Sequence, residues 1–172
     1  MNDILKIKIN DDIVSLTEQQ VSRLIKNFLK ANFVVQKVFK QFNLDINNID
    51  KLQILITDLE DDRYAETDDK TLKMNKSLFN GEEFSEIFAV VFHEIWHFAK
   101  RLYEKSGSYF ADSEELEAFS ISIAAQISNG DSIDVIYNRI FPKIEFHYHD
   151  EQKALKVFKD LVEKAQDFLS SS

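Results

Sequence analysis

Residues 82–105 read EEFSEIFAVVFHEIWHFAKRLYEK, and this stretch decides the fold. Phe84, Ile87, Phe88, Val91, Ile95, Phe98 and Leu102 recur at helical spacing and form one apolar stripe. Ala89, Val90 and Trp96 make the opposite side apolar as well. A helix that is apolar nearly all round is a central one, enclosed by the rest of the chain. The spacing predicts a helix from Glu82 to about Lys105, ended by Ser106-Gly107.

The flanking segments predict what encloses it. Leu52–Thr57 (LQILIT) has the run length and β-branched content of a buried strand. Asp58–Asp62 then reads as an acidic turn. Tyr64-Ala65-Glu66 and Thr71–Asn75 (TLKMN) are two further short strands around the TDDK turn, and Asn80 with Glu83 frames the start of the central helix. Nearer the N-terminus, the ILKIKI alternation of Ile4–Ile9 predicts a strand. Ser15 and Thr17 before Glu18 and Gln20 predict a capped helix start. Val21, Leu24, Ile25, Phe28, Leu29, Val35, Val38, Phe39 and Phe42 extend that helix over 18–42, and Asn43–Asp50 is a polar turn. Downstream, Asp112 or Ser113 caps a helix carrying Leu116, Phe119, Ile123, Ala124 and Ile127, closed by Asn129-Gly130; a last amphipathic helix covers about Glu151 to Leu169. The expected architecture is α+β: a helix-rich single domain over 1–172, with a small sheet packed on the central helix.

Composition narrows the partners. The 172 residues include 15 Phe but only 3 Gly and 1 Pro, which suits a sizeable, helix-rich core with few tight turns. A formal net charge of -9 repels phosphate backbones, so no nucleic-acid partner is expected. There is no cysteine, so disulfides and thiolate metal sites are excluded and any metal must rest on His, Asp or Glu. MNDILKIKINDD has no basic-then-apolar leader pattern and no apolar run approaches a membrane span, so the expected location is cytoplasmic, away from membranes. Oligomeric state leaves no trace in this sequence.

Within the central helix lies His93-Glu94-Ile95-Trp96-His97, an HExxH pattern. Residues four apart stand one turn above each other on a helix, so two imidazoles at this spacing can close on one Zn2+ at about 2.0–2.1 Å each. Glu94 is turned by about 100° from His93. It therefore stands beside a zinc-bound water rather than on the metal. Zinc brings the pKa of such a water towards about 7, and a nearby carboxylate can accept its proton during attack on a carbonyl. Both histidines lie about 200–240° from the centre of the apolar stripe. With Val90 and Trp96 beside them, they face a sheltered cleft rather than the core or open water. The plainer alternative is a hydrogen-bonded histidine pair with Glu94 as a surface charge.

VVFHEIWHFA, residues 90–99, resembles the extended zincin signature, in which uncharged residues surround HExxH. The metzincin branch needs a downstream Gly and a third His, and those positions hold Lys100 and Tyr103. The following helix begins Ser113-Glu114-Glu115-Leu116-Glu117-Ala118, and Glu115-Leu116-Glu117-Ala118 is similar to the ExxA pattern of the minimal gluzincins. Over roughly residues 50–130, that resemblance implies a small metallopeptidase holding one Zn2+ per chain through His93, His97 and Glu115, with Glu94 as the catalytic base and a peptide or protein as substrate. The family often has Asp or Asn after the Ala; this chain has Phe119, which implies a different outer shell. The residues themselves leave Glu114, Glu117 and Asp112 open as third ligands. Acidic side chains at a helix start also serve its dipole, and Asp112 with Glu115 can form a capping box.

Weaker features remain. Tyr103, Tyr109, His147 and His149 are rival donors to an oxyanion. His147 and His149 would share a face on a strand, although ordinary part-exposed residues are the plainer reading. Asp58, Glu60, Asp61 and Asp62 lack the Gly and spacing of a calcium loop and read as a solvated acidic turn. Thr71–Asn75 is either an ordinary strand or an edge on which a peptide lies by strand addition. Two other functions compete with the enzyme: a zincin-fold binding or structural protein of phage or mobile-element origin, and a helical interaction module with a chance HExxH. An intact Glu94 favours the enzyme.

Overall fold

Ile4–Ile9 (β1) runs antiparallel to Asp12–Thr17 (β2), and Asp11 turns the hairpin at φ 68°. The computed structural model describes residues 4–9, 11–60, 63–68, 70–104 and 112–171. Thr17 ends β2 and caps the first helix, Glu18–Ala31 (α1), through a capping box with Gln20. The predicted cap is therefore present, but a strand precedes it where none was expected. The expected helix over 18–42 is two helices, α1 and Phe33–Gln41 (α2). Asn32 separates them with an extended backbone. Its N–H donates to the Phe28 and Leu29 carbonyls, and its Oδ1 accepts from the Val34 and Val35 N–H groups at 2.9 and 3.2 Å. One buried residue thus closes one helix with its backbone and opens the next with its side chain.

A short helix, Asn48–Lys51 (α3), occupies the end of the expected polar turn. Gln53–Thr57 (β3), Ala65–Thr67 (β4) and Thr71–Asn75 (β5) follow as expected to within a residue. Their order in the sheet is β3-β5-β4, with β5 parallel to β3 and antiparallel to β4. Of the two readings of Thr71–Asn75, the ordinary strand is the one found and the edge is not: it is the central strand, bonded on both sides, and cannot accept a peptide edge-on. β4 is the edge. After a 3-10 turn at Lys76–Phe79, Asn80–Glu83 (β6) joins β1 in parallel to give a second sheet, β2-β1-β6. The central helix, Phe84–Glu104 (α4), starts only after that strand.

The chain forms two compact units, Met1–Gly107 and Ser108–Ser172. In the first, α4 packs against α2, β1, β4 and β6. Ile87, Phe88, Val91, Phe92, Ile95, Phe98 and Ala99 are all buried there, so the stripe read from the sequence is the inward face. Phe28 of α1 lies against Phe88 at 3.9 Å between ring centroids, and Phe84 meets Phe88 edge-on at 4.2 Å. The fold is α+β and helix-rich, with small mixed sheets on the helix that carries HExxH.

The second unit is helical: Asp112–Ser128 (α5), Ile133–Tyr148 (α6) and Glu151–Ser170 (α7). Gly130, at φ 94°, ends α5, and the Asp131 N–H returns to the Gln126 carbonyl. Arg139 ties α6 to that turn by donating to Asp131 Oδ2 at 2.6 Å and to the buried Gln126 Oε1 at 3.2 Å. α6 is the helix that pattern reading missed, because Pro142 lies inside it. Among the described residues, no helix is long and apolar enough to cross a membrane.

Candidate metal centre

His93 and His97 are adjacent rungs of α4, and their Nε2 atoms approach to 3.2 Å. The rings stand at 69° to each other, with centroids 4.9 Å apart. His97 is buried and His93 half-buried. Trp96 supports the pair from the side. Its ring is itself buried, meets the His97 ring edge-on at 5.3 Å, and is covered by the Lys100 ammonium 5.2 Å from its centroid. The His97 imidazole is thus held by packing, which lowers the entropy it loses on engaging a partner.

That 3.2 Å separation is informative. Two nitrogens bound to one zinc at about 2.05 Å, at a tetrahedral angle, lie about 3.3 Å apart. The separation therefore matches that of two ligands on a shared cation. A single N–H···N hydrogen bond fits the distance too, with one ring in each neutral tautomer. Glu94, half-buried, stands about 60° around the helix from His97 and about 100° from His93. It is beside the nitrogen pair and not in line with it.

Glu114, Glu115 and Glu117 fall within the first two turns of α5, in the second unit, ahead of the fully buried Ala118. Asp112 is the first residue of that helix. Tyr103, exposed, lies against Phe42 at 5.4 Å between centroids. Tyr109 lies outside the described residues, as do Asp61 and Asp62 of the acidic turn. His147 and His149 are not on a strand. His147 is in the last turn of α6 and His149 caps that helix in the left-handed region, at φ 51°, its N–H bonded to the Glu145 carbonyl.

One residue of this face escaped the sequence reading. Arg101 follows His97 by one more helical turn, and its Nη1 donates to the Thr67 carbonyl of β4. The HxxxHxxxR spacing carried that signal. At the adjoining turn, burial pushes the Asp68 carboxyl up. Hydrogen bonds from the Lys70 and Thr71 N–H groups, with the charges of Lys73 and Arg101, outweigh that and hold it below its ordinary range. Glu66 is held low chiefly by the hydrogen bond from Lys73 Nζ, at 2.7 Å.

No family model matches this chain, and no curated protein or solved structure matches it significantly. The likeness to zincins therefore rests on the HExxH and ExxA residues alone.

Proposed function

We propose that the chain is a zinc-dependent metallopeptidase of zincin type, working as one 1–172 domain in the cytosol on a peptide or protein. The observation that carries this reading is the 3.2 Å approach of the His93 and His97 Nε2 atoms on a sheltered face of α4. His93 and His97 would hold one zinc ion, and the ExxA pattern supports Glu115 as the third protein ligand. Bound zinc supplies Lewis acidity and lowers the pKa of a water towards about 7.

The remaining chemistry belongs to Glu94. Its carboxylate accepts the proton of the attacking water and returns it to the departing amine nitrogen, so one group serves as base and then as acid. Its turn away from both histidines would set it beside the metal rather than on it. β4, the edge of its sheet that packs against α4, is where an extended substrate would lie by strand pairing.

Glu94→Gln tests the assignment because the amide keeps the shape but takes no proton at neutral pH. The variant should fold and retain zinc, yet cleave a peptide library about 100-fold more slowly or worse. Loss of zinc in Glu94→Gln would make the residue structural. A wild type that binds zinc but cleaves nothing, with Glu94→Gln indistinguishable in cells, would favour a binding protein.

A further inference from the structure

β4 has two edges, and they are used differently. The Asn75 N–H donates to the Tyr64 carbonyl at 2.8 Å, and the Asp68 N–H to the Thr71 carbonyl at 2.9 Å. Residues 64 and 68 thus turn their backbone groups towards β5. In antiparallel pairing this orientation alternates along the strand. The N–H and C=O of Ala65 and Thr67 therefore point to the opposite edge. On that edge the Thr67 carbonyl accepts from Arg101. Arg101 lies four residues beyond His97 and eight beyond His93, so all three side chains occupy one face of α4.

We infer that Arg101 is a positioning residue: it ties the outward edge of β4 to the histidine face of α4 and closes that edge at Thr67. The inference rests on the metallopeptidase reading, whose substrate it concerns. An extended peptide beside the histidines finds the N–H and C=O of Ala65 for strand pairing. At Thr67 it meets a carbonyl already bonded to a guanidinium, so pairing stops there. Arg101 thereby sets both the distance from edge strand to histidine pair and the end of the peptide track. Arginine suits the task because its planar fork and permanent charge hold one carbonyl in a fixed direction, which the rotating ammonium of lysine does less well. The same bond protects a short edge from pairing with another chain.

The test compares wild type with Arg101→Met, which keeps the apolar stem, and Arg101→Lys, which keeps the charge. Zinc content, amide hydrogen exchange and peptide kinetics are measured on each. Arg101→Met should keep one zinc per chain and leave exchange in the core of α4 unchanged. Exchange across residues 64–68 should accelerate about tenfold or more. On a peptide that the wild type cleaves, KM should rise about tenfold with kcat within about threefold, and Arg101→Lys should recover part of both effects. Unchanged exchange at 64–68, or a fall in kcat at constant KM, would overturn the inference. If wild type binds no zinc and cleaves nothing, the metallopeptidase reading fails by itself, and the exchange at 64–68 still decides whether Arg101 holds the edge. Should Arg101→Met not fold, Arg101→Lys carries the same comparison with a smaller acceleration.

Discussion

Phe88→Ala separates the two faces of α4. Phe88 is 2% exposed and lies within 3.9, 4.2 and 5.7 Å, centroid to centroid, of Phe28, Phe84 and Phe92. Truncating a buried Phe to Ala costs about 3–5 kcal/mol, from lost transfer energy plus the cavity left behind. Three ring neighbours place this site near the upper half of that range, because aromatic pairs add about 0.5–1.5 kcal/mol beyond their area. Phe84 is only half-buried and can swing in, which returns part of the loss. The expected destabilisation is about 4 kcal/mol, or a melting temperature lower by roughly 15–30 °C for a unit of this size. Phe88 precedes His97 by nine residues, a rotation of about 180°, so it sits opposite the histidine face. Zinc affinity of the folded protein should therefore stay within about threefold of wild type. Urea unfolding followed by circular dichroism gives the first quantity, and chelator competition below the unfolding transition gives the second. A loss under about 1 kcal/mol, or a tenfold loss of zinc affinity in the folded protein, would contradict the division into a core face and a site face.

Glu115→Gln should weaken zinc binding about tenfold or more, about 1.4 kcal/mol, while Glu114→Gln and Glu117→Gln leave it nearly unchanged; release of the metal by Glu117→Gln instead would shift the ligand by two residues. Glu66 and Asp68 are both held below their ordinary values of 4.5 and 3.8, so each favours the fold when ionised and withdraws that support as pH falls through its folded value. The β4–β5 hairpin should therefore begin to open below about pH 4 while α4 persists, visible as faster exchange in residues 64–75 than in 87–98; equal protection of both segments down to about pH 3 would contradict the shifts.

Much of the first unit was legible because α4 repeats its apolar residues without interruption and carries HExxH in phase. The break at Asn32 was not, since apolar residues resume at helical spacing beyond it and nothing marks that residue as the cap of two helices. β2 was hidden because Ser15 and Thr17 also read as helix-start residues, and Thr17 is one; strand and cap share the same letters. The order β3-β5-β4 could not be read because periodicity fixes which residues form a strand but not its neighbours. That is why Thr71–Asn75 read equally as an edge or an ordinary strand. α6 was lost to Pro142, whose ring ordinarily breaks a helix interior, and the isolated histidines at its end then suggested a strand. In the candidate centre, the His93–His97 pairing follows from a fixed four-residue step. The four-residue step also places Arg101 on that face, but its partner is a strand more than thirty residues away in sequence, and no local pattern encodes that contact.

The central claim is that the close histidine nitrogens are a metal site and not a hydrogen-bonded pair. Metal content of the purified chain, measured by mass spectrometry after exposure to zinc and removal of excess, decides it. One zinc per wild-type chain is expected, with none retained by His93→Ala or His97→Ala, since two remaining ligands hold zinc poorly. Saturating zinc, at about 100 times its dissociation constant, should also raise the stability of the wild type by about 2.7 kcal/mol. A wild-type chain that takes up no zinc and unfolds at the same temperature with and without it would contradict the claim.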